Sequence, residues 1–298
     1  LKPFLSILIP TYNRAAMTIE AVASVSNNSE VEIVVVDDCS NKEETDKLIN
    51  YFWDEINYQE VTGTGRVRLY QNRTNIGMTK NFNMCMQYAK GEWFGLIGSD
   101  DYYKPGAIDR AVKLLHKIPP SLVVYSRSSK TWVTTKGVEG VRNLPLPSGS
   151  GNFWHRSIYE DLGGFDERLT YSPDAEYWYR IATKYPVLGV PEKYSVYREH
   201  GNNLMYDTWR KPDFLKQIKL ITRLNMVHKG MDTTDLDLVV ACEGQAVWDT
   251  VIYIMRVTSS KPDKFDIFDM YSPVALSMAF TKDKLDAVKH LMNVRNKK

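Results

Sequence analysis

With 298 residues, 43% of them hydrophobic and 25% charged, the chain has room for one large domain or two modest ones and the make-up of an ordinary globular protein. A formal net charge of +2 gives no reason to expect a polyanionic partner, so nucleic acid is disfavoured. The three cysteines, Cys39, Cys85 and Cys242, lie far apart without metal-ligand spacing, and no run approaches the roughly 18 apolar residues of a membrane helix. No signal-peptide pattern precedes the first strand, so the expectation is reduced thiols in a cytoplasmic protein.

Phe4 to Ile9 reads as a buried first strand, closed by Pro10, which cannot continue a central ladder. The turn Thr11-Tyr12-Asn13-Arg14 leads into a helix-periodic segment from Met17 to Val25. A second strand, Val31 to Val36, ends in Asp37-Asp38. A helix through about Glu43 to Trp53 follows, then a short strand from Val67 to Tyr70. The polar turn Gln71 to Gly77 precedes a helix from Thr79 to Ala89, which Gly91 ends. The apolar run after Glu92 is a fourth strand. It stops at Gly98-Ser99-Asp100-Asp101, with Pro105 and Gly106 close behind.

Strand and helix thus alternate four times within about one hundred residues, the pattern of an α/β fold with a doubly wound, mostly parallel sheet. Continuous apolar strands, rather than alternating ones, predict burial on both faces. The first, second and fourth strands end in polar residues, which predicts one crevice at the carboxyl edge of the sheet. Two adjacent carboxylates there are hard oxygen ligands suited to Mg²⁺ or a similar cation shared with substrate phosphates. A strand followed by a polar turn would also read this way, since Asp is a common turn residue.

A helix from Ala107 to Leu115 ends before Pro119-Pro120, and Leu122 to Ser126 is a fifth strand. The segment from Lys136 to Asn152, rich in Gly, Pro and Ser, reads as a loop bordering the site. Phe153 to Leu162 is expected to hold a short helix, closed by Gly163-Gly164-Phe165-Asp166. Asp174 to Thr183 has helical periodicity, and Val187 to Val190 and Tyr194 to Arg198 look like late strands. From about Asp213 the periods are helical: Phe214 to Val227, Leu236 to Val257 and Pro273 to Met292. The chain therefore divides into a catalytic unit, residues 1–206, and an α-helical C-terminal region, residues 207–298, with the boundary near Tyr206 to Pro212. The apolar stripes of those helices pack on the catalytic unit or support a homodimer. Interspersed acidic and basic residues leave peripheral membrane contact at most.

Taken together the motifs resemble the family 2 glycosyltransferases, inverting nucleotide-sugar enzymes of the GT-A fold. The matching residues are Pro10-Thr11-Tyr12-Asn13-Arg14, Val36-Asp37-Asp38-Cys39-Ser40, Asn75-Ile76-Gly77 with Asn81, Gly91-Glu92, and Ser99-Asp100-Asp101 with Pro105. Gly163-Gly164-Phe165-Asp166, Asp174-Ala175-Glu176 with Trp178 and Arg180, and Tyr197-Arg198-Glu199-His200 follow in family order. The helical tail is outside the resemblance.

The resemblance implies a nucleotide-sugar donor, a UDP- or dTDP-sugar. It also implies an acceptor hydroxyl on a glycan, a lipid-linked sugar or a protein, most simply in cell-envelope polysaccharide synthesis. Tyr12 would cover the base, against a wall shaped by Pro10 and Thr11, with Arg14 in the same motif. Asp38 would lie near the base and Arg73 would reach the nucleotide, while Asp37 reads as a capping or turn residue. Asn81 and Ser99 complete the expected donor contacts. The family's metal motif is usually Asp-X-Asp. Here its first position is Gly98, so Mn²⁺ or Mg²⁺ falls to Asp100, with Asp101 as the alternative and His200 as a further ligand. Asp174 matches the base that deprotonates the acceptor, with Glu176 as runner-up and a helix N-cap as the plain alternative. Two other functions stay open on sequence alone: a non-catalytic nucleotide-sugar-binding assembly subunit and a sugar-phosphate nucleotidyltransferase. The latter should carry a Gly-rich loop after the first strand, where this chain has Pro-Thr-Tyr-Asn-Arg.

Overall fold

The computed structural model describes residues 2–52, 66–126, 130–137, 150–171 and 173–201. The expected helical tail, its boundary and most of the loop expected between Lys136 and Asn152 lie outside those residues.

The first half follows the expected alternation: β1 (Leu5–Thr11), α1 (Ala15–Ala23), β2 (Val31–Asp37), α2 (Lys42–Phe52), β3 (Val67–Gln71), α3 (Met78–Tyr88) and β4 (Trp93–Leu96). All four strands pair in parallel, with β1 between β2 and β4 and β3 beyond β2. Every residue of β1 and β2 is buried, because helices cover both faces. Ile7, Ile9, Ile33 and Val35 pack with apolar residues of α1, α2 and α4 (Ala107–Leu115). Leu8, Val34, Val36 and Phe94 pack on the opposite side with Cys85 and Met86 of α3 and with Trp178 and Ile181 further along the chain.

Pro10 does not close β1. It stays in register opposite Val36, and Thr11 opposite Asp37. The Leu8 carbonyl accepts from Ile97, so alternate residues of β1, Leu8 and Pro10 among them, turn toward β4. The pairing with β4 ends at Leu8–Leu96. The donor that Pro10 lacks therefore falls where β4 has already turned away, and no ladder bond is lost.

The remaining strands are short: β5 (Tyr102–Tyr103), β6 (Val123–Tyr125), β7 (Trp132–Val133), β8 (Phe153–His155), β9 (Val187–Gly189) and β10 (Ser195–Val196). Two helices accompany them, α5 (Arg156–Leu162) and α6 (Pro173–Lys184). Among the described residues the main sheet runs β3-β2-β1-β4-β8-β6-β9-β7, and β10 pairs antiparallel with β5. The segment from Phe153 to Leu162 holds the expected short helix, preceded by a strand that was not expected. β8 lies antiparallel between β4 and β6, where Phe153 and Trp154 are buried, and only Arg156 onward is helix. β9 runs parallel to β6, which is itself antiparallel to β8. Chain direction then sets the polarity of α6: it ends where β9 starts, at the amino edge, so its first turn faces the carboxyl edge.

A buried polar bracket holds the amino edge. Glu32 accepts from the Ser6 hydroxyl at 2.5 Å, from the backbone N–H groups of Lys90 and Gly91, and from the Arg68 guanidinium. The carboxylate and guanidinium side chains are each 6% exposed. Gly91 is required by this close approach, since a Cβ there would lie 2.5 Å from Ser6 Oγ and 2.7 Å from the Ser6 backbone nitrogen. Removing one partner of a buried pair leaves the other charged and unpaired, so Glu32→Ala is expected to lose about 3–5 kcal/mol in urea unfolding. A loss below about 1 kcal/mol would show that the bracket does not hold the sheet edge.

Candidate active site

The loops after β1, β2 and β4, the first turn of α6 and the segment after β10 all meet the carboxyl edge. Two of these turns interlock. Asn13 and Cys39 have φ of 51° and 62°, a left-handed conformation that non-glycine residues adopt sparingly. They are held there by partners: the Asn13 backbone N–H donates to Ser40 Oγ at 2.7 Å, and its side-chain oxygen accepts from Asn41 N–H. Asn41 caps α2 by accepting from the Glu44 N–H. Glu44 in turn accepts from Ala15 N–H at the start of α1. The Lys47 ammonium and then that N–H hold the Glu44 carboxyl below its usual range.

Within this frame the expected donor contacts separate. Pro10 is buried, and Thr11 is buried with its hydroxyl bonded to Thr18 at 2.7 Å, so both form wall. Tyr12 is 47% exposed and Arg73 is exposed, so their side chains are accessible at the edge. Asp37 accepts from Ser40, Thr45 and Gln71 and fixes the turn after β2. Asp38 accepts from the backbone N–H groups of Ile76 and Gly77 and from the Asn72 amide. Three of about four acceptor positions on that carboxylate are filled by the β3–α3 loop, which leaves one for a ligand donor. Asn81 is placed differently from its expected role as a donor contact. It is 2% exposed, donates to the Val36 carbonyl and accepts from Asn72, so it braces the loop from behind.

The two carboxylates after β4 diverge as well. Asp101 is 3% exposed and accepts from Ser150 Oγ at 2.5 Å and from Arg198 N–H at 3.0 Å. It ties three loops together, and both of its carboxylate oxygens are engaged by the chain, unlike the alternative metal ligand expected of it. Burial, and then the Asp101 charge, push the neighbouring Tyr103 phenol up, so that hydroxyl stays protonated. Ser99 is 6% exposed. Asp100 instead meets Arg14, whose guanidinium donates to Oδ2, and His200, whose Nε2 lies 3.2 Å from the same oxygen. A Cβ at Gly98 would stand 2.8 Å from Asp100 Oδ1. The carboxylate thus folds back over the position where the family's motif carries its first Asp, and a side chain there would push it aside.

Asp100 and His200 fit a divalent cation. Neighbouring octahedral ligands at about 2.1 Å from a metal are about 3 Å apart, close to the observed separation of these two atoms. Among the described residues no group of three or more such side chains converges, so a cation held here would draw its other ligands from phosphate or water.

The two acidic residues of α6 have different surroundings. Glu176 is 3% exposed and forms a two-pronged pair with Arg180, 3.0 Å at each prong. Arg180 also donates to the carbonyls of Leu162 and Gly164. Glu176 therefore braces the turn between α5 and α6. Asp174 is partly exposed in the first turn, toward the carboxyl edge. Thr79, in the first turn of α3 beyond β3, donates to the Leu169 carbonyl at 2.5 Å and fixes the approach to that turn. Cys85 is buried among the core residues, and burial pushes its thiol up, so it is no nucleophile for this site. The contacts that motif reading missed, Arg14 to Asp100, Ser150 to Asp101 and Asn72 to Asp38, join residues 86, 49 and 34 positions apart, and no local pattern announces them.

Comparison with known proteins bears on the family and the fold. The family model described as Glycosyl transferase family 2 matches residues 6–168. An uncharacterized glycosyltransferase of Mycoplasma pneumoniae is 25% identical over 189 residues, 58% of this chain and 60% of that one. The chain thus spans less than two thirds of that relative's length. S. aureus TarS 1-349 in complex with UDP-GlcNAc superposes with a TM-score of 0.56 at 18% identity, over 87% of this chain and 83% of that one. A mannosyltransferase from Pyrobaculum calidifontis, in complex with GDP-Man and Mn²⁺, gives 0.57 at 15% identity, over 99% and 87%. At these identities the two structures establish the shared fold, GT-A.

Proposed function

The chain belongs to glycosyl transferase family 2, and from that membership we propose that it moves a sugar from a nucleotide-sugar donor to an acceptor hydroxyl with inversion at the anomeric carbon. The observation that carries the proposal is the convergence of Arg14, Asp100 and His200 at the carboxyl edge, with the first turn of α6 directed to the same edge. The donor is a UDP- or dTDP-sugar and the acceptor a glycan, lipid-linked sugar or protein hydroxyl in cell-envelope polysaccharide synthesis.

Tyr12 covers the base, beside Arg73 and the last acceptor position of Asp38. Asp100 and His200 would hold a divalent cation, Mn²⁺ or Mg²⁺, which would supply positive charge to offset that of the departing diphosphate. Arg14 adds a second positive charge beside the phosphates. Asp174 takes the proton from the acceptor hydroxyl as that oxygen attacks the anomeric carbon. A carboxylate suffices, because the proton leaves only as the new bond forms. Among the described residues no helix is long and apolar enough to cross a membrane.

The test is release of nucleoside diphosphate from a panel of nucleotide sugars, with Mn²⁺ and with chelator. Cation-dependent release from a UDP- or dTDP-sugar is expected. Binding of such a donor without release, under any acceptor or cation condition, would move the protein to the non-catalytic binding class.

A further inference from the structure

The carboxylate placed to take a divalent cation already holds one of the protein's own cations. Arg14 follows β1 and Asp100 follows β4, neighbouring strands, and the guanidinium donates to the oxygen that His200 also approaches. The three side chains are 29%, 17% and 14% exposed, so the contact is partly shielded from water and its charges act on one another more strongly than on an open surface. A metal ion on Oδ2 would sit beside the guanidinium on the same oxygen, and two cations sharing one acceptor at contact distance repel, so each weakens the other's hold.

We propose that Arg14 is a placeholder for the divalent cation. In the donor-free protein it occupies Asp100, and it yields that oxygen when the cation arrives together with a diphosphate, turning its fork to the phosphate oxygens. Guanidinium matches phosphate as well as carboxylate, with two parallel donors in one plane, so the exchange replaces one charge-assisted contact by another. Cation alone offers Arg14 no new partner and binds weakly. Cation with diphosphate offers one, and the two ligands therefore bind with positive coupling. Arg14 acts in this as a positioning residue. The inference rests on the proposed function for its diphosphate, although its first half, competition between Arg14 and the cation, does not.

Mn²⁺ binding to the full chain, followed by the electron paramagnetic resonance signal of the free ion, tests it in wild type, Arg14→Gln and Arg14→Lys, with and without UDP. Arg14→Gln is expected to bind Mn²⁺ alone more tightly by roughly three- to tenfold, as a charge-assisted contact no longer has to be broken. The gain in Mn²⁺ affinity on adding UDP should shrink in the same variant. Arg14→Lys keeps a point charge at the site and should stay near wild type for Mn²⁺ alone, which also covers the case in which the Gln variant does not fold. Unchanged or weaker Mn²⁺ binding in folded Arg14→Gln, or tighter binding in Arg14→Lys equal to that of the Gln variant, would overturn the placeholder. A wild type that bound Mn²⁺ but no UDP would count against the proposed function, while the comparison in Mn²⁺ alone would still decide the competition.

Discussion

Asp174→Asn should lower turnover by on the order of a hundredfold or more while leaving donor affinity nearly unchanged. The substitution keeps size and shape and removes the proton acceptor, so a split between turnover and binding is the signature of a base. The neighbouring acidic residue supplies the contrast. Glu176 is buried against Arg180, which holds the carbonyls of Leu162 and Gly164. Glu176→Gln keeps a hydrogen-bonding side chain but loses the charge opposite Arg180, so it should lower the melting temperature and affect turnover only through loss of folded protein. Near-normal turnover in Asp174→Asn, with a selective loss of turnover in a fully folded Glu176→Gln, would transfer the base to Glu176.

Asp100→Ala should remove the response to Mn²⁺ and reduce turnover by on the order of a hundredfold or more, because several kcal/mol of leaving-group stabilisation depend on that corner of the site. Folding should be little affected, since Asp100 bonds side chains at the cleft and bridges no backbone among the contacts described above. Asp101→Ala should behave in the opposite way. Its carboxylate joins Ser150 and the Arg198 N–H, and leaving those donors unsatisfied in a buried position costs about 1–3 kcal/mol. Melting curves with and without Mn²⁺ and UDP separate the two. If the Asp101 variant were stable but blind to Mn²⁺, and the Asp100 variant still responded, the assignment of the two carboxylates would have to be exchanged.

How far the sequence could be read depended on the reach of each interaction. β1 to β4 were legible because burial on both faces writes itself as an unbroken apolar run, and the helices between them show a local period. β8 was not, because three residues carry no period and Phe153-Trp154-His155 runs directly into α5. The end of β1 was misread by one rule applied alone: Pro10 breaks a ladder only if a neighbour is waiting for its donor, and β4 stops short of it. At the site, motif spacing located the carboxyl edge but could not divide its carboxylates into those facing a ligand and those facing the chain. Asp101 is buried by the loops it holds, Asp38 gives the β3–α3 loop all but one acceptor position, and Asn81 serves the Val36 carbonyl. The Arg14 contact to Asp100 needs β1 and β4 side by side, which no window of sequence contains. The helices expected beyond 207 lie outside the described residues, so their dimer and membrane readings stay expectations.

The most direct test of the central claim is the anomeric configuration of the sugar released when water serves as acceptor. Proton nuclear magnetic resonance follows hydrolysis of an α-linked UDP-sugar by the wild-type chain in Mn²⁺, at times short enough to precede mutarotation. A single base at Asp174 and in-line attack predict that the β-anomer appears first, and that it does not appear with Asp174→Asn. First appearance of the α-anomer would mean that configuration is retained, and would contradict the account.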